Sequence, residues 1–193
     1  MINIILFGPP GAGKGTQSAK IIEKYSLIHI STGDLFRKHL KEGTPLGNLA
    51  KDYMSKGNLV PDKVVIDMVD DKIKSSDNNA GIIFDGFPRT IPQAEALDGL
   101  LASIGAPIKV LIELVVPEDE LRKRLAERAI KENRPDDAKP DVIDHRISLY
   151  KGETVSVADH YKGLGKYSSV VGVGEIENIF SNICREIDKS LLL

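Results

Sequence analysis

The sequence predicts an α/β protein, a parallel sheet of five strands covered by helices on both faces and carrying a helical flap. Three observations predict it. Five short apolar, β-branched runs (2–7, 27–31, 81–85, 109–116 and 169–173) recur along the 193 residues, and four of them lack the polar alternation of half-exposed strands. Helical patterns separate these runs, the arrangement expected of a parallel sheet. A glycine-rich turn, Gly-Pro-Pro-Gly-Ala-Gly-Lys-Gly-Thr at 8–16, joins the first run to the first helical pattern, as in the strand–loop–helix of a P-loop.

Taken in order, the first strand leads through that turn into a helix over 14–25, and the second strand follows. The stretch before the third strand holds three helical patterns, 34–40, 46–56 and 62–74, punctuated by Gly43, Pro45, Gly57 and Pro61; this excess over a plain crossover predicts the flap. The third strand ends in Phe84-Asp85-Gly86-Phe87-Pro88-Arg89, with a helix over 92–104 behind it. The fourth strand feeds a helix over 118–131. A polar loop at 133–141 follows, its two prolines marking a helix stop and restart, and Arg146 begins the next helical stretch. After the fifth strand, Ile176, Ile179, Phe180, Ile183 and Ile187 keep helical spacing through 176–192. Right-handed crossovers place the strand-to-helix loops on one edge of the sheet, where ligands bind.

Bulk properties narrow the field. A hydrophobic content of 41 % suffices for one substantial core. A formal net charge of −2 exerts no global pull on nucleic acid or an anionic membrane. Cys184 is the only cysteine, which excludes an intramolecular disulfide and a multi-cysteine zinc site and fits a reducing compartment. No run approaches the roughly 20 apolar residues of a membrane span, and the N-terminus lacks a basic region and a small-residue cleavage site. A cytoplasmic protein is expected.

The turn at 8–16 is a physical anion trap. Glycines at 8, 11, 13 and 15 let backbone N–H groups point inward, the helix N-terminus adds partial positive charge, and Lys14 adds a full one. The usual P-loop pattern has a serine or threonine directly after the lysine. Here Gly15 occupies that place and Thr16 comes one residue late, so a magnesium ion would be held mostly through water and phosphate oxygens. Asp85 lies on the same edge by topology, as an acid orienting metal-bound water, a general base, or a plain turn residue. Arg89 offers a planar fork for phosphate. Arg37 follows Ser31, Thr32 and Asp34, which also read as helix N-cap residues. Arg124 and Arg128, four apart, share a helix face; with Arg134 and Arg146 they would cap a polyphosphate from the side opposite Lys14. His29, His39, His145 and His160 have no metal-binding spacing.

The stretches 8–16, Ser-Thr-Gly-Asp-Leu-Phe-Arg (31–37), Asp-Gly-Phe-Pro-Arg-Thr-Ile-Pro-Gln-Ala (85–94) and Arg-Pro-Asp-Asp (134–137) together resemble the adenylate kinase family. In that family Gly-Lys-Gly-Thr is the expected form of the loop. The resemblance implies a three-layer P-loop fold with a monophosphate-binding flap at 31–60 and a short lid at 130–141 without zinc, the core comprising 1–30, 61–129 and 142–193. It implies reversible transfer of the terminal phosphoryl group of ATP to AMP, giving two ADP, with Mg²⁺ as cofactor. Residue by residue, it puts Gly11, Ala12, Gly13, Lys14, Gly15 and Thr16 on the ATP phosphates. Arg124 and Gly174 (or Gly172) fall near the ATP adenine, and Arg128 near the transferred phosphate. Thr32, Arg37, Asn58, Leu59, Val60, Gly86, Phe87, Pro88, Arg89 and Gln93 surround AMP, while Arg134 and Arg146 reach phosphates as the lid closes. Asp85 and Thr16 serve Mg²⁺, and a monomer is the family expectation.

An AMP phosphate, with its second pKa near 6, is already largely ionised at pH 7, so the transfer calls for positioning, magnesium and arginines before a base. Gln93, otherwise an exposed helix residue, offers a donor and an acceptor to the adenine edge. Thr32 stands where uridylate-cytidylate kinases usually carry alanine, which favours AMP over UMP or CMP. A GTPase-like switch would need an Asn-Lys-x-Asp motif, and the chain has none.

Overall fold

The computed structural model describes residues 1–76, 80–132 and 139–192. Strands β1 (Asn3–Phe7), β2 (Ile28–Ser31), β3 (Ile82–Asp85), β4 (Ile108–Val115) and β5 (Tyr167–Val171) form one parallel sheet in the order β2-β3-β1-β4-β5. The helices are α1 (Lys14–Tyr25), α2 (Thr32–Lys41), α3 (Pro45–Ser55), α4 (Asp62–Lys74), α5 (Ile91–Ser103), α6 (Glu118–Lys131), α7 (Pro140–Leu149), α8 (Val155–Gly163) and α9 (Ile176–Ser190). A π-helical turn, Tyr150–Thr154, joins α7 to α8.

Alternation along β1 divides the core in two, because successive strand side chains point to opposite faces. Ile5 and Phe7 pack with Val65, Val69, Leu97, Leu101 and Tyr161 of α4, α5 and α8. Ile4 and Leu6 pack with Ile21, Leu121, Leu125, Ile147 and Ile183 of α1, α6, α7 and α9. Every residue of β1 is buried, so its one polar member must be satisfied internally. Asn3 donates to the Ala106 carbonyl and accepts the Ile82 N–H at 2.9 Å. One amide thereby ties the entry to β4 and the start of β3 to the central strand.

The strand order reverses at β1, which has β3 on one side and β4 on the other. A crevice opens beyond the carboxyl ends of strands at such a switch point. The loop at 8–13, following β1, and the turn at 86–90, following β3, both border it.

The fold agrees with the prediction, and three details correct it. Strand β5 runs Tyr167–Val171, two residues earlier than 169–173. As an edge strand it admits Tyr167 and Ser168, and Gly172 instead turns the chain, its N–H donating to Val115 O at 2.8 Å. Pro140 and Asp141 are not loop: Pro140 opens α7, since proline's fixed φ suits the first helical position. Arg146 therefore sits in the last turn of a helix rather than at its start. The elements Tyr150–Thr154 and Val155–Gly163 were not foreseen.

The flap helices α2 and α3 pack unusually close. Ser31 caps α2 by accepting the Asp34 N–H at 3.3 Å, and Thr44 caps α3 by accepting the Gly47 N–H at 3.1 Å. A side-chain carbon at Gly47 would lie 2.3 Å from the His39 carbonyl oxygen, so only glycine permits this approach. Gly47→Ala is expected to destabilise the protein by about 1–3 kcal/mol, read as a lower urea midpoint at unchanged slope.

Candidate active site

At the switch point lies a cleft of about 780 Å³. Gly11, Ala12, Gly13, Lys14, Gly15 and Thr16 line one wall, Arg37 and Leu59 come from the flap side, and Asp85, Gly86, Phe87, Pro88 and Arg89 from the end of β3. Arg124 and Arg128 of α6, Arg146 of α7 and Gly174 complete it. A smaller cavity of about 70 Å³ behind it is bordered by Thr32, Arg37, Asn58, Leu59, Val60, Gly86, Arg89, Gln93 and Arg146. Residues spread from 11 to 174 thus converge on one edge of the sheet. Arg134, expected in the lid, lies outside the described residues.

The first turn of α1 shapes the phosphate wall. Lys14 folds back over its own loop, donating to the carbonyls of Gly8 at 2.8 Å and Pro9 at 3.0 Å. Burial lowers its pKa to about 8; Asp85 pulls it upward while Arg89, Arg128 and Arg146 push it further down. The neighbouring Gly15 is exposed, and a side-chain carbon there would meet no protein atom within 4 Å. The hydroxyl-bearing Thr16 is exposed at the same rim.

One carbonyl gathers the opposite wall. Gly86 O accepts both the Thr32 hydroxyl at 2.8 Å and Arg89 Nε at 2.7 Å. Gly86 has φ +73°, and a side-chain carbon there would sit 3.0 Å from Arg89 Nη2 and 3.2 Å from Thr32 Oγ1. The Phe87–Pro88 peptide is cis. Burial, followed by Arg146, lowers the Arg89 pKa to about 10, against the pull of Asp85. Both shifts have the same leading cause: the cleft holds these cations away from water, with neighbouring arginines adding to the effect and Asp85 opposing it. Asp85 itself faces His29, whose Nε2 is 3.8 Å from Oδ2.

Other expected residues are already engaged. Thr32, read as a possible cap, is instead 3 % exposed and pinned to Gly86. Arg37 pairs with Asp34 at 2.5 Å. Asn58 Oδ1 meets His145 Nε2 at 2.7 Å, joining the end of the flap to α7. Arg124 bonds Glu120 at 2.7 Å and the Gly172 carbonyl at 3.0 Å. Gly172 therefore has both backbone groups occupied, while Gly174 stays exposed at the rim. Gln93, expected on an exposed face if not functional, is 1 % exposed.

Sequence reasoning missed several lining residues. Gln17, in α1, donates to the Ile176 carbonyl at 3.1 Å and ties the phosphate helix to the start of α9. Tyr150 of the π-helical turn donates to Glu113 at 2.7 Å, and Tyr167 donates to the same carboxylate at 2.6 Å. The only signal was Glu113, an acid in the apolar run of β4. Asp62, at the start of α4, gave the ordinary signature of a helix N-terminus.

Known proteins are similar to this chain over most of its length. The family model described as adenylate kinase matches residues 6–166. The adenylate kinase of Bacteroides fragilis is 47 % identical over 188 residues, covering 97 % of this chain and 99 % of its own. That of Bacteroides thetaiotaomicron is 47 % identical over 189 residues (98 % and 100 %), and that of Parabacteroides distasonis 48 % over 183 residues (95 % and 96 %). With a matching family model over most of its length and relatives this similar end to end, the chain belongs to the adenylate kinase family.

Proposed function

We propose that Lys14, Arg89, Arg128, Arg134 and Arg146 stabilise the in-line phosphoryl transfer of this family at the cation-lined cleft. The reaction itself follows from membership: the protein is an enzyme that reversibly transfers the terminal phosphoryl group of ATP to AMP, giving two ADP. The observation that carries the residue roles is the convergence of a half-buried lysine, Lys14, and the described Arg89, Arg128 and Arg146 around one cleft at the sheet's switch point.

In this reading ATP phosphates lie on the loop Gly11, Ala12, Gly13, Lys14, Gly15 and Thr16, replacing the Gly8 and Pro9 carbonyls as partners of the lysine. Arg124 and Gly174 flank the donor base, and Arg128 lies at the transferred phosphate. AMP occupies the side of Thr32, Arg37, Asn58, Leu59, Val60, Gly86, Phe87, Pro88, Arg89 and Gln93, with Arg134 and Arg146 reaching its phosphate. The acceptor oxygen needs no base, because the monophosphate is already ionised. What opposes reaction is repulsion between two anions, and fixed guanidinium groups answer it in place, without reorganisation.

Asp85 and the Thr16 hydroxyl border the cleft, and such hard oxygen donors suit Mg²⁺ held largely through water. Bound there with the nucleotide, Mg²⁺ neutralises phosphate charge. The flap at 31–60 and the lid at 130–141 exclude water as they close and so suppress hydrolysis. A monomer is the family expectation, and the free Cys184, the sequence's single cysteine, fits a reducing cytoplasm.

Supplied with ATP, Mg²⁺ and each monophosphate in turn, the protein is expected to form ADP from AMP; UDP or CDP as the main product would overturn the choice of base. Arg89→Ala should lower turnover by about 10²–10³-fold, and near-normal turnover would remove Arg89 from the catalytic set.

The lowered pKa of Lys14 sets a pH signature. Bound triphosphate favours the ammonium form, so ATP affinity is expected to weaken as pH rises above about 8, and Lys14→Arg should flatten that profile in calorimetric titrations. Stability moves the other way in the ligand-free protein. The unfolded lysine keeps its proton to about pH 10.4 while the folded one releases it near 8, so between these values the unfolded state binds more protons and stability rises with pH. Lys14→Met should lack this gain.

A further inference from the structure

Gln93 lies in the first turn of α5 with both ends of its amide committed. Its Oε1 accepts the Arg89 backbone N–H at 2.8 Å, and its Nε2 donates to Asp62 Oδ1 at 2.7 Å. These partners set the amide's polarity, since a backbone N–H only donates and a carboxylate only accepts. Turning the amide over would set NH₂ against N–H and carbonyl against carboxylate. Both bonds would be lost at a residue 1 % exposed, where unmatched polar groups are costly.

Gln93 also borders the small cavity, beside Thr32 and Val60. A primary amide has two N–H donors and two carbonyl lone pairs. With one of each spent on Asp62 and Arg89, one of each remains for a ligand, and their order in space is set by the locked polarity. Adenine presents the 6-amino donor next to the N1 acceptor. Hypoxanthine, the 6-oxo analogue, presents the reverse: an O6 acceptor next to an N1–H donor. A freely turning amide would match either base by flipping, whereas a locked one matches a single pattern.

We propose that Asp62, acting through Gln93 together with the Arg89 backbone N–H, makes the acceptor site choose a 6-aminopurine monophosphate over its 6-oxo counterpart. The proposal rests on the reading of the small cavity as the AMP subsite. Asp62 touches no base; it is a positioning residue at the joint where the flap returns to α4, and it is the one side chain of the two partners that deny Gln93 its second orientation.

Asp62→Asn tests this, because an asparagine amide is isosteric and can either accept from Gln93 or donate to it. Transfer from ATP is followed with AMP, giving two ADP, and with IMP, giving ADP and IDP. For Asp62→Asn, which removes one of the amide's two holds and leaves the Arg89 N–H in place, kcat/KM for IMP should rise several-fold while that for AMP falls several-fold, the change residing mainly in KM and the melting temperature staying within a degree or two of wild type. Asp62→Ala should shift the AMP-to-IMP ratio in the same direction. An unchanged ratio, within twofold of wild type in a folded Asp62→Asn protein, overturns the proposal. Wild-type protein that forms no ADP from AMP would instead overturn the subsite reading beneath it. Equilibrium binding of IMP to Asp62→Asn decides the matter without turnover: tighter binding than to wild type supports the lock, and equal binding refutes it.

Discussion

The gathering of cations in a cleft shielded from water is the constraint on which this structure turns. Lys14, Arg89, Arg128 and Arg146 border one cleft, and burial above all, with neighbouring cations adding to it and Asp85 opposing it, makes the lysine and Arg89 hold their charge less readily than they would in water. The scaffold must impose that burial. A parallel sheet buried on both faces is well suited: its strands cannot slide, because a one-residue slip would reverse every core contact. Two full cores, one on each side of β1, hold the loops that carry the charges. In the proposed reading, a polyphosphate bound among these cations would supply the opposite charge that burial makes most effective, favouring binding and transition-state stabilisation.

How well the sequence could be read depended on how local each signal was. Helices α1, α4 and α6 have the boundaries expected from pattern and punctuation, since glycine, proline and the first polar residue act on their immediate neighbours. Strand β5 was displaced because an edge strand need not be apolar throughout, and apolar content was the signal used. The π-helical turn Tyr150–Thr154 leaves no periodicity to detect. In the site, the phosphate loop and the β3 turn were legible from spacing, and topology alone brought them to one edge. The state of Gln93 was not. Its bond to Arg89 is local, but its bond to Asp62 comes from packing between segments about thirty positions apart, and Asp62 carries no mark of that role in its own surroundings.

The two sides of the cleft also touch each other away from the phosphates. Asn58 meets His145, and a side-chain carbon at Gly57 would come within 2.9 Å of Arg146 Cγ. The flap's last turn therefore rests on the same helix that presents Arg146. A displacement of the flap would bear on the helix that presents Arg146 by direct contact rather than through the sheet.

Gly15 separates a demand of folding from a demand of function. The protein around it would accommodate a side chain without a clash, and a helix in general gains from losing a glycine. The fold thus exerts no demand for glycine there, and if anything leans against it. Any restriction at the position would come from a molecule docked on the loop, as proposed above. Variation at residue 15 would then be silent in any screen for folding and expressed only in one for phosphate chemistry, which makes it a reporter of the ligand written into the chain.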